Sequence, residues 1–394
     1  METKLLNGNN KEAIAEASKI LQDGGLVAFP TETVYGLGGN ALDPEASRKI
    51  YAAKGRPSDN PLIVHVSCID EVLPLVSEFP DSARKLMEAF WPGPLTIVMP
   101  KAAIVPYETT GGLETVAIRC PENRVTLAFI QAAGVPIAGP SANTSGKPSP
   151  TEAAHVYHDL QGKIEMILDD GPVGIGVEST ILDLTGEVPT LLRPGAITVE
   201  ELSETLGTEV RIDPAIIAGG VKEGVHPKAP GMKYRHYAPN ARMALVTTRL
   251  SKERDYALSE EERAEADQMV AACIDRLVDA DEAAGLRVGI ICCEETRARY
   301  HSAGDRRADI KVIGRRSDPL SMTHELFRVL REFDEDGTER IYAESYSDRG
   351  VGFALMNRMR KSAGMLEVCA DDQPTDVFRN GISPLAGLQP HADK

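Results

Sequence analysis

The chain has 394 residues, of which 42% are hydrophobic and 26% charged, enough for two or three domains each with its own core. No apolar run approaches the roughly 18 residues of a membrane span, and the first dozen residues lack the apolar stretch of a signal peptide. Six cysteines without a C-x-x-C pair argue against a disulfide framework or zinc ribbon and fit a reducing cytoplasm. The net charge of -16 is uneven: 17 Lys and Arg stand against 30 Asp and Glu through residue 225 (-13), and 26 against 29 beyond it (-3). So acidic an N-terminal half argues against nucleic-acid binding there, which rests on phosphate neutralisation.

In chain order, Ile14, Ala17, Ile20 and Leu21 recur at helical spacing until Gly24 and Gly25, and LVAFP (26 to 30) follows as a short strand. Further strands are expected at 62 to 66, 95 to 99, 115 to 119, 135 to 139, 165 to 169, 179 to 184 and 190 to 193. Helices are expected at about 44 to 53, 81 to 90, 124 to 133, 151 to 158 and 198 to 206. The mixture predicts one α/β domain on a large twisted mixed sheet, residues 1 to 217.

Residues 218 to 240 contain HPKAPGMKYRHYAPN, whose prolines and few aliphatic residues predict an extended linker. From 241 onward MALVT, RVGIICC, DIKVIG and RIYAE alternate with helical patterns, including Leu326, Leu330 and Phe333 on one face. That rhythm predicts a smaller, Rossmann-like doubly wound domain over 241 to 394, with a tail beyond about 370 expected to be partly disordered.

The common nucleotide and hydrolase motifs are missing. SGKP (145 to 148) is no P-loop and GPVGIG (171 to 176) opens no helix, while G-x-S-x-G and H-E-x-x-H do not occur. Polar residues gather instead in PTETVYGLG (30 to 38), KGRPSDNP (54 to 61) and GPSANTSG (139 to 146), at strand ends where open α/β sheets bind ligands. Lys54 and Arg56 are spaced to project from one side, Arg56 toward solvent, and Ser141 and Asn143 repeat the spacing. Together they suit a polyphosphate, with arginine as bidentate clamp and lysine as point charge. Each feature also has a plain structural reading. Lys-Gly-x-Pro is an ordinary helix stop, SANTSG a good turn, and His65 sits in an apolar strand. Arg119 and Arg193 end strands, and Lys228, Lys233 and Arg235 would keep a tether soluble.

Taken together, FPTETVYGLG, AKGRP-x-x-NPL-x-V-H, W-P-G-P-L-T, PSAN-x-SG, G-V-E-S-T-I-L-D, LRPGAI and APGMKYRHYAP, in this order, closely resemble the Sua5 branch of the Sua5/YciO/YrdC family. LFRVLREFD and GFALMNRMRK look like its extra C-terminal domain, so the likeness covers nearly the whole chain. The resemblance implies a cytoplasmic enzyme that makes L-threonylcarbamoyladenylate from L-threonine, bicarbonate or CO2, and ATP, releasing pyrophosphate. A separate transferase would then modify adenosine 37 of tRNAs reading ANN codons. Magnesium would be held mainly through the ATP phosphates, with no metal site of the protein's own. By matching positions, Thr33, His65, Arg119 and Ser179 would surround threonine. Lys54, Arg56, Asn60, Thr115, Ser141, Asn143, Ser149 and Arg193 would line the ATP region, with Lys54, Arg56, Ser141 and Asn143 central to catalysis. Tyr234, Arg235 and His236 of the linker would fold over the nucleotide. An RNA-binding module and a carbamoyl-phosphate-dependent adenylating enzyme remain the alternatives. The first is disfavoured by the acidic N-terminal half and the second by the chain's few cysteines and limited length.

Overall fold

The structure is a computed structural model that describes residues 1–220, 227–232, 236–254, 257–300, 308–374 and 377–378. The chain divides into two compact units, Met1–His236 and Tyr237–Lys394.

In the first unit the strands are β1 (Lys4–Asn7), β2 (Val27–Phe29), β3 (Gly36–Asn40), β4 (Ile63–His65), β5 (Leu95–Pro100), β6 (Thr115–Arg119), β7 (Ile137–Gly139), β8 (Met166–Asp169), β9 (Thr180–Asp183), β10 (Thr190–Arg193) and β11 (Arg211–Ile212). The helices are α1 (Lys11–Gln22), α2 (Pro44–Lys54), α3 (Asp81–Phe90), α4 (Tyr107–Thr110), α5 (Arg124–Ala133), α6 (Ala153–Leu160), α7 (Val199–Leu206) and α8 (Pro214–Ile217). One mixed sheet of eleven strands runs β1-β8-β2-β3-β7-β4-β6-β5-β9-β10-β11. This is the large mixed sheet that the alternating pattern predicts.

PTETVYGLG is not wholly the polar loop expected of it, because Gly36–Asn40 form β3, antiparallel to both β2 and β7. Three glycines hide the strand from propensity, and packing explains them. A Cβ on Gly36 would stand 2.5 Å from the Phe29 ring, and one on Gly38 would meet the same ring at 3.0 Å. The ring lies where those side chains would have been.

Cross-strand partners share a face of a sheet, so the register fixes what meets what. His65 pairs with Arg119 and Arg119 with Thr96, while Ile63 pairs with Ala117 and Ala117 with Val98. All six residues therefore face the same side. Part of that side is covered by α1 and α5, through Ala17, Leu21, Phe129 and Ile130 packed with Val27, Phe29 and Ile137. Another part is covered by the segment 227–232, whose buried Ala229 and Met232 pack on Ile63, Val98, Ala117, Ile181 and Leu192. Lys228 anchors the same segment at 3.0 Å from the buried Asp183.

The second unit holds β12 (Arg242–Thr247), β13 (Val288–Cys292), β14 (Asp309–Val312), β15 (Arg340–Glu344) and β16 (Glu367–Cys369) in the order β14-β13-β15-β12-β16, every pair parallel. Its helices are α9 (Arg249–Arg254), α10 (Glu260–Ala283), α11 (Pro319–Glu335) and α12 (Val351–Ser362). Parallel neighbours need crossover connections, and the chain's βαβ rhythm supplies them. Val270, Ile274, Leu277 and Val278 of α10 form the core with Val246, Val288 and Ile290. Near the end of the described chain, Phe378 lies 5.8 Å from the Tyr342 ring, beneath the guanidinium groups of Arg242 and Arg340.

Candidate functional site

Two clusters of polar side chains occupy the first unit. The first begins where α2 ends. Gly55 takes the left-handed conformation at φ 62°, closing the helix after Lys54, so the helix stop is real. It also aims Lys54 inward. The Lys54 ammonium is 2% exposed and donates to the carbonyl oxygens of Ser141 and Asn143, and to Asn143 Oδ1 at 3.3 Å. In return Ser145 N donates to Lys54 O at 2.9 Å. Lys54 therefore pins the KGRP loop to the PSAN loop, whose Ser141 hydroxyl donates to Asn143 Oδ1 at 2.6 Å. Tyr35 O holds the same turn through Ala142 N at 2.8 Å.

The sequence places Arg56 toward solvent; the structure corrects this. Arg56 is buried, donating Nε to Asn60 O at 3.2 Å and Nη2 to Pro61 O at 3.0 Å. The loop curls back on itself and wraps its own guanidinium, which a pattern of polar residues does not reveal. Asn60 is buried beside it. Thr115 stands at the start of β6, opposite Pro100, four residues and about 13 Å along the strand from Arg119.

The second cluster forms around Arg119, which is 4% exposed. Its Nη1 donates to Thr33 Oγ1 at 2.9 Å and its Nε to Gly93 O at 3.3 Å. Its Nη2 is 2.6 Å from Glu32 Oε1. Thr33 Oγ1 also shares a 2.9 Å hydrogen bond with Thr31 Oγ1, while Gly176 N and Ile175 N donate to the Thr33 and Glu32 carbonyls. His65, beside Arg119 in the sheet, is buried with Nδ1 3.3 Å from Ile137 O. Burial, and then the Arg119 charge, push its imidazole down to about 3, so the ring is neutral near pH 7.

Ser179 and Arg193, expected at threonine and ATP respectively, meet each other. Arg193 donates Nε to Ser179 O at 2.9 Å and Nη2 to Ser179 Oγ at 3.0 Å, and Thr96 Oγ1 shares a 2.7 Å bond with the same hydroxyl. Ser149 donates to Glu178 Oε1 at 2.5 Å. Tyr234 and Arg235 lie outside the described residues, and His236 is half-buried. Glu32 escapes sequence reasoning, yet its place one residue before Thr33 in PTETVYGLG is the signal that could have found it.

Comparisons with known proteins establish the family. Residues 19–195 match the Sua5/YciO/YrdC family, described as telomere recombination, and residues 197–364 match the C-terminal domain of threonylcarbamoyl-AMP synthase. A threonylcarbamoyl-AMP synthase of Bacillus subtilis (strain 168) is 45% identical over 357 residues, covering 90% of this chain and 94% of the relative. One from Pyrococcus abyssi is 43% identical over 362 residues, covering 90% and 97%. The chain belongs to the Sua5/YciO/YrdC family. A solved structure of P. abyssi Sua5 complexed with L-threonine aligns with a TM-score of 0.80 at 41% identity, over 93% of this chain and all of that one. Both units are thus accounted for by the Sua5 branch, which joins the YrdC-like domain to the second domain. Among the described residues, no helix is long and apolar enough to cross a membrane.

Proposed function

We infer that this chain makes L-threonylcarbamoyladenylate, the intermediate for threonylcarbamoylation of adenosine 37 in tRNAs reading ANN codons, from L-threonine, bicarbonate or CO2, and ATP. The observation that carries the reading within the molecule is the buried Arg119 guanidinium bonded to Thr33 Oγ1. It sits on a sheet face partly roofed by the linker residues Ala229 and Met232. A buried guanidinium pairs bidentately with an amino acid's carboxylate. The likeness to relatives named for this reaction, and to a structure holding threonine, supports the same substrate.

In the reaction, the threonine amine adds to CO2 with loss of a proton, giving a carbamate. A carbamate oxygen attacks the α-phosphorus of ATP, and the bond to the β-phosphate bridging oxygen breaks to release pyrophosphate. The nucleophile belongs to the substrate, so no seryl or cysteinyl intermediate is needed. The protein aligns the reactants and steadies phosphate charge. Arg119 and Thr33 hold threonine, with neutral His65 and Ser179 completing the pocket. Arg56 clamps phosphate oxygens and Asn60, Thr115, Ser149 and Arg193 line the nucleotide. Lys54 adds a fixed positive charge and sets the loop carrying Ser141 and Asn143. Tyr234, Arg235 and His236 contribute to holding the nucleotide.

The donors of the nucleotide cluster are ammonium, guanidinium, hydroxyl and amide groups, which suit phosphate oxygens better than a metal. Magnesium therefore fits as a companion of ATP, where it draws charge from the phosphates. A separate transferase takes the adenylate onward to tRNA, and the cytoplasm supplies all three substrates.

The test is to incubate the protein with ATP, magnesium, bicarbonate and single amino acids and identify the adenylate by mass spectrometry. A threonine-selective, bicarbonate-dependent product with pyrophosphate release is expected. ATP hydrolysis to ADP, or equal product with every amino acid, overturns the reading.

A further inference from the structure

The Arg119–Glu32 pair is unlike a structural ion pair. Buried salt bridges persist when further hydrogen bonds fill the remaining lone pairs. Here both Glu32 carboxylate oxygens are shut off from solvent, yet neither accepts a hydrogen bond among the described residues, and Arg119 Nη2 likewise has no properly directed acceptor. Only the 2.6 Å approach of Nη2 to Oε1 relates the two charges. Backbone bonds fix Glu32 from behind, through Ile175 N to Glu32 O at 2.8 Å, and Thr33 holds Arg119 from the side. The result is a cation and an anion side by side with unfilled hydrogen-bonding capacity, beside the Thr33 hydroxyl.

An α-amino acid is the complementary object. It carries a carboxylate and an ammonium on one carbon, and its ammonium has three donors for a carboxylate that lacks any. We propose that Glu32 is the subsite for the α-ammonium group of the amino-acid substrate, completing with Arg119 a two-charge socket that reads the zwitterion. This rests on the threonine reading above and extends it. Arg119 takes the carboxylate and Glu32 the ammonium; before its nitrogen adds to CO2 the ammonium gives up one proton, which the adjoining Glu32 carboxylate is placed to accept, so the same side chain orients the amine and frees its lone pair. Neighbouring His65 is neutral near pH 7 and leaves the charge pattern to these two groups.

The test compares two ligands in two proteins. The ligands are threonine and the 2,3-dihydroxybutanoate of matching configuration, which keeps carboxylate, hydroxyl and methyl but has a hydroxyl in place of the ammonium. Their affinities are measured by titration calorimetry for the full chain and for Glu32→Gln, with Glu32→Asp as a charge-preserving control and melting curves to establish folding. The wild type should prefer threonine by about tenfold or more, as expected for a charge-assisted hydrogen bond. In Glu32→Gln that preference should nearly vanish through loss of threonine affinity, and Glu32→Asp should restore part of it. If both ligands weaken by the same factor, Glu32 serves only to hold Arg119 and the proposal fails. Unchanged preference in Glu32→Gln overturns it equally. Should the wild type bind neither ligand, the threonine reading itself falls, a pattern distinct from both.

Discussion

Arg56 shows how far residue-level reasoning reaches. The phosphate role proposed for it starts from KGRP, but its burial cannot be read there, since it depends on a loop turning its own Asn60 and Pro61 carbonyls onto the guanidinium. Arg56→Ala therefore has two expected effects. Losing a charge-assisted contact to the reacting phosphates slows synthesis by roughly 30-fold to 1000-fold. The Pro61 carbonyl also loses its Arg56 donor, and the Asn60 carbonyl keeps the Tyr51 hydroxyl at 3.3 Å, which together costs about 1–3 kcal/mol of stability. Rates and chemical denaturation check both, and a variant as stable and fast as wild type would reduce the motif to a helix stop. Arg56→Lys should keep part of the charge effect without the fork geometry.

His65 makes a separate pH prediction. Its imidazole is held down to about 3 against roughly 6.5 in an unfolded chain. Between these values the unfolded chain binds the proton and the folded one does not, so stability falls as pH drops through that window and is unaffected above it. Relative to His65→Gln, the wild type should lose about 2 kcal/mol more on going from pH 7 to pH 5. Parallel pH dependence of the two unfolding free energies would show that His65 is protonated in the folded protein.

At the level of elements, apolar runs were the readable part. LTIVM, TVAIR and RVGIICC declare themselves because buried strands are continuous and β-branched. Gly36–Asn40 does not, because its glycines answer to Phe29, a residue on the neighbouring strand, rather than to any periodicity. Gly36→Ala should accordingly force the Phe29 ring to move and destabilise the protein by about 1–3 kcal/mol. A double-mutant cycle with Phe29→Leu supplies the check: the smaller side chain should make the alanine markedly less costly. Full additivity would mean that the ring does not set the need for glycine. Phe378 was hidden for a related reason, since its partners Tyr342, Arg242 and Arg340 come from two distant strands.

For the whole molecule, charge and the alternation of strands and helices were visible in the sequence, whereas what Ala229 and Met232 touch was not. Ala229 and Met232 rest on Ile63, Val98, Ala117, Ile181 and Leu192, drawn from five strands that only the folded sheet brings together. Those strands present Arg119 and Thr96 on the same side, so the segment can shield an adenylate from water while substrates react. Replacing residues 228 to 236 with a Gly/Ser stretch of equal length separates covering from tethering. Removing the buried Met232 side chain should cost about 2 kcal/mol, lowering the melting temperature of the first unit by a few degrees without unfolding it. ATP affinity should weaken and threonylcarbamoyladenylate yield should collapse, with more ATP lost to hydrolysis per product formed. Undiminished synthesis in that variant would make the segment a tether alone, and the roles given to Tyr234, Arg235 and His236 would fall with it.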